Sequence, residues 1–115
     1  MATSAIKHQA ATIISISGTG ASGVTTSGKI IYDPNTSTVR LYCIARSANN
    51  IGTSTTLATI PSGYRPSTEQ DVYCMMGFAS GSPAAYYGVV KTNGVVNQSL
   101  TSSAREILLV GEWKI

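Results

Sequence analysis

GTGASGVTTSGKI, residues 18–30, separates two fold classes. Gly18, Gly20 and Gly23 satisfy the G-x-G-x-x-G pattern of dinucleotide sites, and Gly23 with Gly28-Lys29 almost completes the G-x-x-x-x-G-K-[ST] phosphate loop. Either pattern binds phosphate only when the loop feeds a helix, whose first amides and dipole face the anion. Here the loop feeds Lys29-Ile30-Ile31-Tyr32, a β-branched strand, and Ile30 stands where a magnesium-holding hydroxyl is required. Asp33 comes too early for a ribose contact. The stretch is a glycine-rich turn between strands.

Outward from that loop, the chain keeps a β rhythm. Thr12 to Ser17 precedes the loop as a first strand, and Lys29 to Tyr32 follows it as a second, stopped by the turn composition Asp33-Pro34-Asn35-Thr36. Thr38 to Arg46 alternates most clearly: Val39, Leu41, Cys43 and Ala45 form an apolar face, and Arg40, Tyr42, Ile44 and Arg46 a mixed one. Further strands are expected at Leu57–Ile60, at Asp71–Ala79 with Val72, Cys74, Met76 and Phe78 on one face, and at Tyr86–Lys91 and Val95–Leu100 around the hairpin signal Asn93-Gly94. Arg105–Ile115 closes the chain with Ile107, Leu109, Trp113 and Ile115 on one parity. Seven or eight strands and no helical period predict an all-β fold, an antiparallel β-sandwich of jelly-roll-like form.

Composition agrees. The 115 residues suffice for one domain, residues 1–115, with 1–11 as a short lead-in. Charged residues are only 11% of the chain, so Ser, Thr, Asn and Gly supply much of the polar surface. The net charge of +3 comes from scattered basic residues with no run, which excludes the clustered charge of a nucleic-acid groove. No apolar stretch reaches transmembrane or signal-peptide length. Cys43 and Cys74 lie in apolar runs and read as small buried hydrophobes, with a cross-strand disulfide as the alternative.

Catalysis and metal binding find little support. His8 stands alone near the N-terminus, and the cysteines lack ligand spacing, so no metal or cofactor is expected. Glu69 and Asp71 have the two-residue spacing of acids on one strand face, the pattern an enzymatic reading as a polysaccharide hydrolase uses, but they read better as solvated acids after a proline corner. The expected role is recognition. Tyr86 and Tyr87, after Gly81-Ser82-Pro83, offer flat faces for stacking under a sugar. Asn49 and Asn50 offer amides for sugar hydroxyls, and Arg46 and Asp71 offer charge-assisted bonds. Apolar residues on the second parity (Tyr73 and Met75, Leu108 and Val110) predict an outer sheet face covered by identical neighbours.

Leu57-Ala58-Thr59-Ile60-Pro61-Ser62-Gly63-Tyr64-Arg65-Pro66, the strand at 71–79, the hairpin at Asn93-Gly94 and the closing Val110-Gly111-Glu112-Trp113-Lys114-Ile115 together resemble the C-terminal head domains of bacteriophage tail-fibre and baseplate receptor-binding proteins. The resemblance covers the second half of the chain. It implies a homotrimeric, non-enzymatic β-sandwich made in the host cytoplasm and carried on the virion tail, contacting other tail or baseplate proteins. Such a domain binds host cell-wall polysaccharide or a related saccharide. The alternative within the same resemblance is a structural fibre-tip trimerisation domain without a ligand. Such proteins often carry an N-terminal shaft; with only Met1 to Ala11 ahead of the first strand, the chain is expected to be either a detached head or an unusually short member. Tyr64 and Arg65 are expected to brace the corner rather than touch a ligand.

Overall fold

A computed structural model describes residues 9–78, 84–99 and 104–115. The fold is all-β and antiparallel. Its strands are β1 (Thr12–Ser15), β2 (Thr25–Asp33), β3 (Thr38–Arg46), β4 (Ala58–Thr59), β5 (Gln70–Phe78), β6 (Ala84–Val90), β7 (Val95–Gln98) and β8 (Ala104–Lys114). They form one sheet in the order β1-β2-β3-β8-β5-β6-β7-β4. The sheet curls into a half-barrel, so the sandwich-like form comes from two wings of one continuous sheet. Side-chain and loop bonds fasten the wings: Thr26 Oγ1 donates to the Leu57 carbonyl at 2.5 Å, and Ala21 N to that of Thr56 at 2.8 Å. Thr19 and Thr59 exchange two further bonds, Thr59 N to Thr19 Oγ1 and Thr59 Oγ1 to the Thr19 carbonyl.

The period-2 pattern accounts for the core. Val39, Leu41, Cys43 and Ala45 of β3 are buried opposite Trp113, Gly111, Leu109 and Ile107 of β8, and Val72, Cys74 and Met76 of β5 complete the same layer. Ile16, Ile30, Ile51, Leu57, Ile60, Val90 and Val96 close it from the wings and loops. Gly111 leaves the space that Val72 fills; a Cβ there would lie 2.6 Å from Val72 Cβ. Ile115, expected on the core side, is exposed: it lies one position beyond the end of β8, where Ile115 N donates to the Ser37 carbonyl in register with the β3–β8 ladder.

Two further differences from the sequence expectations have local causes. β2 begins at Thr25, four residues before the apolar run, because Thr25, Thr26 and Ser27 pair with Arg46, Ala45 and Ile44 of β3. The glycine loop therefore ends at Val24 and opens into a strand. Cys43 and Cys74 are free thiols on the same inner face, each facing Leu109 from opposite sides. Two strand spacings, roughly 9.5 Å, exceed the reach of a disulfide.

The corner at 61–66, the hairpin and the last strand are one mechanical unit. Tyr64 N donates to the Pro61 carbonyl at 3.2 Å, with Gly63 at φ +98°, the type II turn that Pro-Ser-Gly-Tyr favours. Arg65 Nε donates to the Ile60 carbonyl at 2.8 Å. Trp113 Nε1 donates to the Tyr64 carbonyl at 2.8 Å, and the Tyr64 ring meets Tyr32 edge-on at 5.5 Å. In the hairpin, Gly94 N donates to the Lys91 carbonyl and Gly94 takes φ +88°, a type I turn closed by a left-handed glycine. A Cβ on Gly94 would meet the Ile60 carbonyl and Arg65 Nε at 2.5 Å, so the hairpin tip seats directly on the corner. Tyr64 and Arg65 brace the turn, as expected. Among the described residues no helix is long and apolar enough to cross a membrane.

Candidate functional site

The outer face of the central strands is assembled by register. Outward-pointing residues of β3 are Arg40, Tyr42, Ile44 and Arg46, and β8 sets Glu112, Val110, Leu108 and Glu106 opposite them. On β5 and β6 the inner row continues as Tyr73 and Tyr87 beside Val110, and the next as Met75 and Ala85 beside Leu108. The result is an apolar band two rows deep, with Tyr42 at 40%, Tyr73 at 49%, Tyr87 at 52% and Leu108 at 37% exposure. The second-parity apolar residues thus do lie together on one outer face. Arg40–Glu112 (3.2 Å) and Arg46–Glu106 (2.8 Å) cap the band at its two ends. Both pairs are solvent-exposed, so their contribution to the stability of a single copy is small, ~0–1 kcal/mol each.

Beyond the Arg46 end lies a polar hollow of about 460 Å³, lined by Arg46, Ser47, Gly77, Arg105 and Glu106. Its geometry follows from how the loop after β3 is tied to the start of β8. Ser47 N donates to the Arg105 carbonyl at 3.0 Å, and Ile51 N to that of Ala104 at 2.9 Å. Between those anchors, Asn49 N donates to Ser47 Oγ at 3.1 Å, and Arg105 Nε donates to Asn50 Oδ1 at 3.3 Å. Residues bearing two guanidinium groups, a carboxylate and a hydroxyl therefore line the hollow around a wall that Gly77 leaves without a side chain, and the Asn50 amide holds Arg105 from the adjoining loop. Such a set offers donors and acceptors on fixed backbone supports, the equipment that binds a polyhydroxylated or acidic ligand.

The opposite end carries a second polar hollow of about 500 Å³, where Asp33, Arg40, Gln70, Glu112 and Lys114 meet Thr36, Thr38 and Trp113. The Asn35 backbone N–H donates to Asp33 Oδ1 at 2.9 Å and holds this carboxyl below its ordinary range. A third hollow of about 390 Å³ lies beside the apolar band, between Ser17, Ser27, Lys29 and the side chains of Tyr42, Ile44 and Leu108.

The residues singled out from sequence are distributed unequally over these sites. Arg46 lines the Arg105 hollow, and Asn49 and Asn50 are exposed on the loop beside it. Asp71 lies on β5 at the other end of the outer face, six residues from Gly77, which is about 20 Å along a strand. Arg46 and Asp71 therefore serve different ends of the sheet. Tyr87 belongs to the apolar band, facing Tyr73, whereas Tyr86 pairs with Cys74 on the opposite side of β6 and is 40% exposed. The two tyrosines do not form a joint platform. Glu69 precedes β5 and Asp71 lies within it, both exposed. His8, Gly81-Ser82-Pro83 and the Phe78 side chain lie outside the described residues.

Arg105 is the site residue that sequence reading passes over. It sits far along the chain from Arg46 and reaches the hollow only because β3 pairs with β8. The usable signal was the polar start of the last strand, Ala104-Arg105-Glu106, once that pairing is known. No family model matches the chain, and no curated protein matches it.

Proposed function

We propose that this chain is a non-catalytic saccharide-recognition head domain of a bacteriophage tail-fibre or baseplate adhesion protein. It works as a homotrimer, carried on the virion tail, and binds polysaccharide of the host cell surface. The observation that carries this reading is the convergence of Arg46, Arg105, Glu106 and Ser47 on one open hollow at the end of the sheet, with Asn50 bonded to Arg105 beside it. Open, shallow and rich in planar polar groups, it suits hydroxyls and acidic substituents of a surface polymer. The corner, hairpin and closing strand on which the resemblance rests support the same reading, because they interlock through Arg65, Gly94 and Trp113.

A panel of purified bacterial cell-wall polysaccharides tests it. Binding is expected to at least one polymer, with Arg105→Ala weakening it about tenfold, the loss of one charge-assisted contact. Absence of binding across Gram-positive and Gram-negative polymers would sink the saccharide reading. The second reading, a fibre-tip assembly domain with no ligand, is favoured by one observation, the exposed apolar band between the two ion pairs. It predicts assembly without binding.

A further inference from the structure

The outer face of β3 and β8 has a charge order that a ligand site does not require. β3 supplies the cation at both ends of the apolar band, Arg40 and Arg46, and β8 supplies the anion at both ends, Glu112 and Glu106. Between them Tyr42 is level with Val110, and Ile44 with Leu108. One strand further out, Lys29 of β2 and Tyr73 of β5 flank the first of these rows, and Ser27 and Met75 flank the second.

We propose that copies of this chain associate through this face about a rotation axis parallel to β3 and β8, with Arg40 and Arg46 of one copy meeting Glu112 and Glu106 of the next. The inference rests on the self-association in the functional reading and adds the axis and the pairing. An axis parallel to the strands keeps every row at its own level and exchanges left for right. The β3 side of one copy then meets the β8 side of its neighbour, so arginine faces glutamate at both ends and apolar rows face apolar rows between them. Lys29 comes level with Tyr73, a cation beside an aromatic face. Two-fold and three-fold axes both satisfy this rule. The convex curl of the sheet suits the three-fold case, since each copy touches one neighbour on either side of the β3–β8 line. A two-fold axis lying in the sheet and perpendicular to the strands does the opposite. It sets Arg40 against Arg46 and Glu112 against Glu106, which repel. The occupant that fits is therefore a second copy of this face, because the order of charges is its own complement in one orientation alone.

The experiment measures solution mass against concentration by light scattering for the wild type, Arg40→Glu, and Arg40→Glu/Glu112→Arg. These positions are exposed and lie at the end of the face away from the Arg105 hollow. Wild type is expected to assemble. Arg40→Glu is expected to raise the dissociation constant about tenfold by setting glutamate against glutamate. The double exchange is expected to return it to within about threefold of wild type, since the complement is restored with its signs reversed. Tighter assembly by Arg40→Glu would overturn the parallel axis, because only the perpendicular arrangement brings residue 40 against Arg46. Failure of the double exchange to recover, with a native far-UV spectrum and melting curve, would overturn the pairing. A wild type that stays monomeric at the highest concentration would remove the self-association itself, while saccharide binding is read separately on the same sample.

Discussion

Trp113→Phe is the substitution that weighs most on the account of how this fold is held. Trp113 is 4% exposed, and its indole N–H donates to the Tyr64 carbonyl at 2.8 Å, joining the last strand to the corner. Phenylalanine keeps an aromatic ring but loses the donor and part of the buried volume. The lost hydrogen bond contributes about 1 kcal/mol net, and a half-buried carbonyl left without its partner recovers part of its bonding from water. The smaller ring adds about 1–2 kcal/mol of lost packing. The sum, about 2–3 kcal/mol, is a large fraction of the ~5–15 kcal/mol that holds a domain of this size.

Urea unfolding followed by far-UV circular dichroism reads this directly, since the variant has no tryptophan to report fluorescence. The expected result is a lower midpoint with an unchanged slope. Arg65→Ala, which removes the bond from Nε to the Ile60 carbonyl, is the companion variant. Because both side chains hold the same corner, the double variant should depart from additivity by about 0.5 kcal/mol or more. A cost below about 0.5 kcal/mol for Trp113→Phe, within the range of an ordinary surface change, would refute the idea that the corner is docked through this residue.

Other consequences are as direct. Burial pushes the Cys43 and Cys74 thiols up to about 11, so both should resist a thiol reagent at pH 8 until the protein unfolds. These raised values also fix a sign. The stabilising effect of the protonated thiols is complete below the unfolded-state value near 9 and is lost as pH rises toward 11, so a melting series from pH 8 to 11 should fall, and Cys43→Ala/Cys74→Ala should flatten that fall. Gly111→Ala should destabilise by about 1–3 kcal/mol, because its methyl group enters the space of the β-branched Val72; a neutral result in thermal unfolding would contradict that packing. Gly94→Ala should do at least as much damage by combining a left-handed backbone with the Ile60 carbonyl and Arg65, and a hairpin that tolerates it would show that its tip does not seat on the corner.

What could be read in advance follows from which signals are local. Alternation along β3 and β5 was strong enough to place Val39, Leu41, Cys43, Val72, Cys74 and Met76 inside, and the leftover apolar parity correctly marked Tyr42, Tyr73 and Leu108 as members of a second face. Thr25, Thr26 and Ser27 read as loop because polar, small residues carry no period; they become strand through pairing with β3, a long-range effect. Tyr86 and Tyr87 illustrate a signal that was present and outweighed: neighbours on a strand point to opposite faces, whatever their shared chemistry suggests. The hollow was half legible. Arg46, Asn49 and Asn50 lie within five positions of one another, whereas Arg105 arrives from the far end of the chain through the β3–β8 ladder.

The most direct test of the functional proposal is nuclear magnetic resonance mapping of the backbone amides while the best-binding polysaccharide from the panel is titrated in. Shifts are expected to concentrate on Arg46, Ser47 and Arg105, which line the hollow at the end of β3 and β8, and on Asn50 beside it. Shifts confined to the hollow around Arg40, Gln70 and Lys114, or spread over the tyrosine band with Arg105 unmoved, would contradict it.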